Sequence, residues 1–234
     1  MRPDWWVGSL ARFGESLLAD DDPRPVIAVP ELLLPETLDR LLLRVYGPEL
    51  MPSQLPVLVS QWSKYYFMQI IPPVVVAALV HDAHWPLSLD QVALALDERG
   101  VLDGIRFLGA GICRAGEWGD PFERFSFLLD HLQQVIGVLS GYGGVAQGVL
   151  WSNVGDYLET CLTQLAQVSD VSLLEGYALL NERTRLDGGR NPLFGTITYI
   201  ESTTGVRRQR RSCCLSHRVE WVGRCEHCPL EPGG

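Results

Sequence analysis

Two short segments, Arg211-Ser212-Cys213-Cys214-Leu215 and Cys225-Glu226-His227-Cys228-Pro229, place four of the chain's six cysteines within sixteen residues. A C-x2-C pair turns two thiols toward one centre, whereas adjacent side chains such as Cys213 and Cys214 normally project apart. A single tetrahedral zinc would be gripped awkwardly by this set. Two irons bridged by two sulfides spread four ligand positions more widely. The C-C-x10-C-x2-C spacing therefore fits a [2Fe-2S] centre at least as well as a zinc knuckle. His217 and His227 keep a mixed Cys/His centre in view. A vicinal disulfide at Cys213-Cys214 would be strained and would leave Cys225 and Cys228 unexplained.

Working outward, the composition changes near residue 203. From there to the end the chain is polar, basic and cysteine-rich, with few core-forming residues. Such a segment is held by its metal centre rather than by apolar burial. The expected organisation is α+β: a predominantly helical body over residues 1–202 with a small β-sheet, and a C-terminal iron–sulfur lobe over residues 203–234.

Within the body, Leu10 to Leu18 reads as a first amphipathic helix, and Asp20-Asp21-Asp22 with its prolines as a connector. Pro35-Glu36 opens a helix with Leu38, Leu41, Leu42 and Val45 at helical spacing, stopped by Gly47-Pro48. Ser60 to Val80 reads as helix, break, helix, because Pro72-Pro73 removes two backbone donors. Ser88-Leu89-Asp90-Gln91 resembles a capping box opening a helix to Gly100, and Val101 to Leu108 alternates as a strand. Asp120-Pro121-Phe122-Glu123 starts a long buried helix. A second is expected from about Ala146 to Gln167, where Gly148 and Gly155 would weaken the helix and permit close packing. Ser172-Leu173-Leu174-Glu175 opens a helix to about Arg183, Asp187 to Pro192 is a loop, and Phe194 to Ile200 is a strand.

The chain has 234 residues, 47% of them hydrophobic, enough for a sizeable core. Its net charge of −9 argues against general phosphate attraction, so no nucleic-acid partner is expected. The N-terminus lacks the basic start and apolar run of an export signal. The longest apolar run, Ile70 to Val80, is too short for a transmembrane segment and contains both prolines. Cysteines in an unexported chain point to metal or redox use in a reducing compartment, hence the cytoplasm.

The cysteine pattern resembles that of the FhuF family of ferric siderophore reductases, whose C-terminal signature is an adjacent cysteine pair, ten residues, then C-x2-C. The match is complete at Cys213, Cys214, Cys225 and Cys228. Trp62-Ser63-Lys64-Tyr65-Tyr66 and Trp151-Ser152-Asn153 look like the family's aromatic and W-x-N landmarks. The resemblance implies a [2Fe-2S] cluster on the four cysteines and one-electron reduction of a ferric siderophore, releasing Fe(II) as part of iron transport and homeostasis. It also implies an electron donor of unknown identity and leaves room for peripheral association with the cytoplasmic face of the inner membrane. The rival reading is a non-enzymatic siderophore-binding or iron-handling protein with a zinc-stapled tail.

Trp62, Lys64 (the only lysine), Tyr65 and Tyr66 could line a face for an amphipathic chelate, with Arg114, Trp118, Trp151 and Asn153 as further candidates. The competing reading of aromatics at this spacing is core. Arg207, Arg208, Arg210 and Arg211 would form a positive patch steering an acidic electron donor or an anionic chelate, against the alternative of a solvated basic turn. With Arg218 and Arg224 they would favour the reduced cluster. Cys113 and Cys161 read as buried apolar-like residues. His81, His84 and His131 read as structural histidines rather than a ligand set. No hydrolase or phosphate-loop pattern is present.

Overall fold

The structure is a computed structural model that describes residues 4–109, 113–114, 119–202 and 205–230. In chain order the elements are β1 (Val26–Ala28), α1 (Val29–Leu32), α2 (Pro35–Tyr46), α3 (Leu55–His81), β2 (Ala83–His84), β3 (Val92–Leu96) and β4 (Leu102–Phe107). They continue with β5 (Cys113–Arg114), α4 (Pro121–Arg124), α5 (Ser126–Gly143), α6 (Gln147–Ala166), α7 (Leu174–Asn181), β6 (Ile197–Ser202) and β7 (Gly205–Arg210). This is an α+β fold with a helical body and small antiparallel sheets.

The axis of the body is α3, a continuous helix of 27 residues that runs through both prolines. The expected break at Pro72-Pro73 does not occur. A proline at 73 leaves the carbonyl of Gln69 without its helical donor, and the Ser16 hydroxyl supplies one at 2.9 Å. The carbonyl orphaned by Pro72 belongs to Met68, an exposed residue. Apolar residues surround the rest of the helix: Leu58, Phe67, Ile70, Ile71, Val75 and Val76 are all buried. By length and composition α3 could cross a membrane, but its most apolar window is 72% buried inside the protein. It is packed as a core helix.

Two further expectations are corrected. The first amphipathic segment is a 3-10 turn over Gly8–Gly14, after which the chain is drawn to the sheet edge: Leu18 donates to the Ile105 carbonyl and Ile105 to the Ser16 carbonyl. The capping-box segment forms only a 3-10 turn at Leu89–Gln91 and then becomes β3. Strand β3 lies between β1 and β4, with Ile27 opposite Leu94 and Leu94 opposite Ile105. Residues Val92 to Ala95 are all buried, so their apolar run carries no strand alternation. Asp97-Glu98-Arg99-Gly100 is the β3–β4 turn. The Asp97 carboxylate accepts from the Arg99 and Val101 amides, and Gly100 has φ +85°.

Helices α2, α5 and α6 form close to where they are expected, as does strand β4. The Asp120 side chain caps the chain ahead of α5 by accepting from the Phe122 amide at 3.2 Å, with a break at Phe125 between α4 and α5. Helix α7 forms without a side-chain cap and ends two residues before Arg183. The strand expected from Phe194 starts at Ile197 as β6 and pairs with β7, Tyr199 lying opposite Arg208 and Ile197 opposite Arg210. Gly155 of α6 is the contact point for this hairpin. A Cβ there would stand 1.9 Å from the Thr196 hydroxyl oxygen. The cysteine segment leaves β7 and folds back onto α3.

Candidate metal centre

All four cysteines of the C-terminal segment carry free thiols, with Cys214 and Cys228 buried and Cys213 and Cys225 half-buried. They meet in pairs: Cys214 is in hydrogen-bonding contact with Cys225, and Cys213 with Cys228. Among the described residues no three His, Cys, Asp or Glu side chains are grouped as ligands of one metal ion. Two thiol pairs suit two irons that each take two thiolates, which is the donor chemistry of a [2Fe-2S] group.

The adjacent cysteines are brought together by a left-handed residue. Leu215 has φ +66°, which turns the chain back at once after Cys214. Its amide donates to the Cys213 sulfur at 3.3 Å, and the Ser216 hydroxyl lies 3.3 Å from the Cys214 sulfur. His217 Nδ1 lies 3.5 Å from the Cys213 sulfur, beside the ligand set rather than within it.

The thiols differ electrostatically. Cys214 is held well below the usual thiol range, first by the hydrogen bond from Cys225, and further by the nearby Lys64 ammonium and by Ser216. Cys225 is pushed up by the same bond and by burial, so the pair readily gives up one proton and retains the other. Burial raises Cys213, and the Leu215 amide opposes it.

Helix α3 grips this segment by its backbone. The Cys214 carbonyl accepts from the Ser60 hydroxyl at 2.9 Å and from the Gln61 side-chain amide at 2.6 Å, and Lys64 Nζ donates to Gln61 Oε1 at 3.0 Å. Buried Asn153 on α6 donates to the Ser60 carbonyl and the Ser63 hydroxyl at 3.0 Å each, and its own oxygen accepts from Arg210. Arg210, only 1% exposed, also pairs with Asp156 at 2.8 Å, while its backbone amide donates to the His227 carbonyl at 3.0 Å. Arg208 reaches Glu159 and Asp156 at 2.6 Å each and His227 Nδ1 at 2.7 Å. Tyr199 adds a short hydrogen bond to Glu159.

This arrangement relocates most of the residues expected to bind a chelate. Trp62 and Tyr66 are interior: Trp62 packs near Tyr66, and Tyr66 stacks on His131. They cannot line a surface because helix neighbours cover both. Tyr65 is half-buried against the core. Lys64 and Asn153 face the cysteine segment. Trp151 is buried but its edge lines an open cleft with Arg211. Strand β5 sets Arg114 opposite Ala83, and Trp118 lies outside the described residues. The arginine patch is likewise divided. Arg208 and Arg210 are turned inward onto carboxylates, Arg207 is half-buried, and Arg211 is exposed with one bond to the Phe194 carbonyl. Cys161 is a buried thiol pushed up to about 12 by desolvation, which matches an apolar-like role.

Sequence reasoning missed Ser60, Gln61, Asp156 and Glu159. Asp156 and Glu159 left a signal, since with Asn153 they recur at i, i+3, i+6 along α6, a buried polar stripe that needs a partner, whereas Ser60 and Gln61 on α3 left none.

A sequence model of the family described as ferric iron reductase FhuF-like transporter matches residues 60–204, and one described as FhuF 2Fe-2S C-terminal domain matches residues 210–230. The chain belongs to the FhuF-like family. Its C-terminal domain is accordingly of the [2Fe-2S] kind. The FhuF-like chain is 25% identical over 179 residues to the ferric siderophore reductase of Escherichia coli (strain K12), covering 74% of this chain and 66% of that relative's length. Among solved structures it is similar to the aerobactin synthetase IucA from a hypervirulent pathotype of Klebsiella pneumoniae. The TM-score is 0.52 at 12% identity, over 75% of this chain and 39% of the other. The ATP-bound form of IucA gives the same score over 38% of its chain. At that identity the likeness is one of fold.

Proposed function

We propose that this FhuF-like chain is a ferric siderophore reductase whose residues Cys213, Cys214, Cys225 and Cys228 hold the [2Fe-2S] group. The observation that carries the reading is the meeting of these thiols in two pairs, gripped through the Cys214 carbonyl by Ser60 and Gln61 of the core helix. The name of the Escherichia coli relative agrees with it.

When bound, such a group takes up and passes on a single electron. The chain's own residues set the conditions. The Leu215 amide and the Ser216 hydroxyl act on sulfur, and Lys64 and Arg210 place positive charge near the Cys214–Cys225 pair. Hydrogen bonds and positive charge next to thiolates stabilise the more negative, reduced form. Ferric iron bound by hard oxygen donors would gain one electron, becoming the ferrous ion that those donors hold weakly. No nucleophile or general acid is required. The electron donor would approach the cysteine segment where Arg218 and Arg224 are exposed, since Arg208 and Arg210 are committed to Asp156 and Glu159. The reading places the protein in a reducing compartment, the cytoplasm, where thiolate ligands persist.

The test is anaerobic purification followed by metal analysis, visible and paramagnetic resonance spectra, and turnover with a ferric siderophore and a ferrous trap. A coloured protein with two irons per chain, a reduced-state paramagnetic signal and trapped Fe(II) is the expected result. A colourless chain with one tightly held zinc that binds a chelate but releases no Fe(II) would instead establish a stapled binding protein.

A further inference from the structure

Beyond the metal centre, the molecule holds a cleft of about 500 Å³ lined by Trp151, Arg185, Arg190, Phe194 and Arg211, within the usual size of a small-molecule site. A second cavity of about 550 Å³ shares Arg190, Phe194 and Arg211 and adds Arg183. Among the described residues the only carboxylate lining either space is Asp187, which already accepts the Gly189 amide at 2.7 Å. Four arginines thus face one acidic group in a chain whose net charge is −9.

The loop that presents them is built rather than loose. Thr184 bridges Arg190, the Arg185 amide donates to the Gly189 carbonyl at 2.9 Å, and Gly188 donates back to Arg185 at 3.0 Å. Its base is clamped by buried Asn191, whose amide donates to the Leu179 and Glu182 carbonyls at 2.8 and 2.7 Å. Opposite stands the Trp151 edge on α6.

The guanidinium groups here differ from those of Arg208 and Arg210, which are ion-paired with Asp156 and Glu159. Among the described residues Arg183, Arg185 and Arg190 have no ion-pair partner, and Arg185 Nε is buried without a hydrogen bond. Arg185 also borders a groove containing Asp120, Glu123 and Asp130, yet none of these carboxylates pairs with it. An arginine donor withdrawn from water and left unmatched is costly, and a planar fork of this kind is matched by a carboxylate. Arg211, on the shared wall, stands two residues from Cys213, a span of at most about 7 Å of chain.

We infer that this cleft receives the anionic groups of the ferric chelate, so that the protein selects ferric siderophores carrying free carboxylates over uncharged hydroxamate chelates. The inference rests on the reductase reading for the nature of the ligand. Trp151 and Phe194 supply the apolar wall for the chelate backbone, the arginines take its negative charge, and Arg211 brings the complex beside the cysteines.

The probe is a matched pair of gallium(III) complexes, which are not reduced. They share one linear trihydroxamate whose terminal amine is acetylated, giving a neutral complex, or succinylated, adding one carboxylate. Calorimetric titration of the full, cluster-loaded chain should show the succinylated complex binding about tenfold more tightly or better. Arg185→Gln with Arg190→Gln should bring the ratio of the two affinities close to one, and Arg185→Lys with Arg190→Lys should retain a preference for the anion. Equal binding of both complexes by the wild-type chain would overturn the inference, as would a preference that survives intact in the glutamine variant. The ferric counterparts, scored with a ferrous trap, keep the two readings apart. Charge-selective binding without Fe(II) release upholds the cleft and sinks the reductase. Fe(II) release without charge selection does the reverse.

Discussion

Replacing Arg210 by methionine would leave Asp156 with one guanidinium instead of two and the Asn153 oxygen without its donor. Breaking a buried ion pair on one side costs about 3 to 5 kcal/mol, and the remaining Arg208 places this case near about 3 kcal/mol. Arg210→Met should therefore lower the denaturation midpoint and the iron content per chain together. Unchanged iron occupancy would mean that Arg210 does not register the cysteine segment. Asn153 and Arg210 were both visible in the sequence as candidates, but for the wrong faces. Asn153's partners Ser60 and Ser63 lie on α3, which meets α6 only by tertiary packing, and no local spacing announces that. A second residue-scale expectation concerns His131. Its Nδ1 donates to the Leu87 carbonyl and its Nε2 accepts from the Tyr66 hydroxyl, each at 2.6 Å, so the ring is neutral, and burial lowers its pKa from 6.5 to about 4. Above the unfolded value neither state is protonated and the contribution is complete. As pH falls from about 6.5 to about 4, the unfolded chain takes up a proton that the folded chain refuses, and up to about 3 kcal/mol of stability is lost. Burial also depresses His81 and His84, which adds to the loss with the same sign. Urea titrations at pH 7 and 4.5 would reveal the loss, and His131→Gln should flatten it.

At the scale of elements, α3 shows how a helix survives paired prolines. The Ser16 hydroxyl replaces the amide that Pro73 lacks, so Ser16→Ala should cost about 1 kcal/mol or somewhat more, the penalty for an unpaired buried carbonyl. In a Pro73→Ala background the helix donates to Gln69 itself, and the same Ser16 change should become nearly neutral. Additive effects in this double-mutant cycle would show that Ser16 is not the substitute donor. The sequence warned of the break but could not show its repair, because Ser16 belongs to another part of the chain. Strand β3 failed for a different reason: an apolar run buried on both faces has no period to read, and the Ser88 box supplied a false start. Helices α2, α5 and α6 were legible from their apolar residues at helical spacing, the first two also from clear starts at Pro35 and at Asp120-Pro121. Of the two α6 glycines expected to permit close packing, Gly155 does so, whereas a Cβ at Gly148 would meet nothing within 4 Å. Gly155→Ala adds helix propensity, but its Cβ would press on Thr196 Cβ at 2.6 Å. The hairpin β6–β7 must then shift, at a cost of about 1 to 3 kcal/mol, with loss of the Tyr199–Glu159 contact.

For the whole molecule, the division of labour between apolar burial and metal binding decides what iron removal does. The body carries nearly all of the core, from Trp6 to Leu193, and needs no metal to hold it. The cysteine segment contributes Val219 and a half-buried Leu215, and otherwise relies on Ser60, Gln61, Asn153, Asp156 and Glu159. Those bonds reach Cys214 and the β7 arginines, and past Cys214, among the described residues, Arg208 and Arg210 hold only His227, through the Arg210 amide and the Arg208 guanidinium. Elsewhere, residues from about Ser216 to Leu230 include exposed Trp221, Val222 and Leu230, and only Ser216, Val219 and Cys228 are buried, Val219 alone of them a core apolar side chain. Segments with so little apolar burial owe their fold to the bound metal. Chelation under reducing conditions should therefore release the stretch after Cys214 and leave the body's helices intact. Hydrogen exchange would show this as loss of protection after residue 214, with α3 and α6 unchanged, while the far-ultraviolet helical signal persists. Cys225→Ser should produce the same pattern without a chelator, since it leaves Cys214 without its pair. If α3 also lost protection, the cysteine segment would be part of the body's cooperative core, and the metal would stabilise the whole fold instead of one lobe.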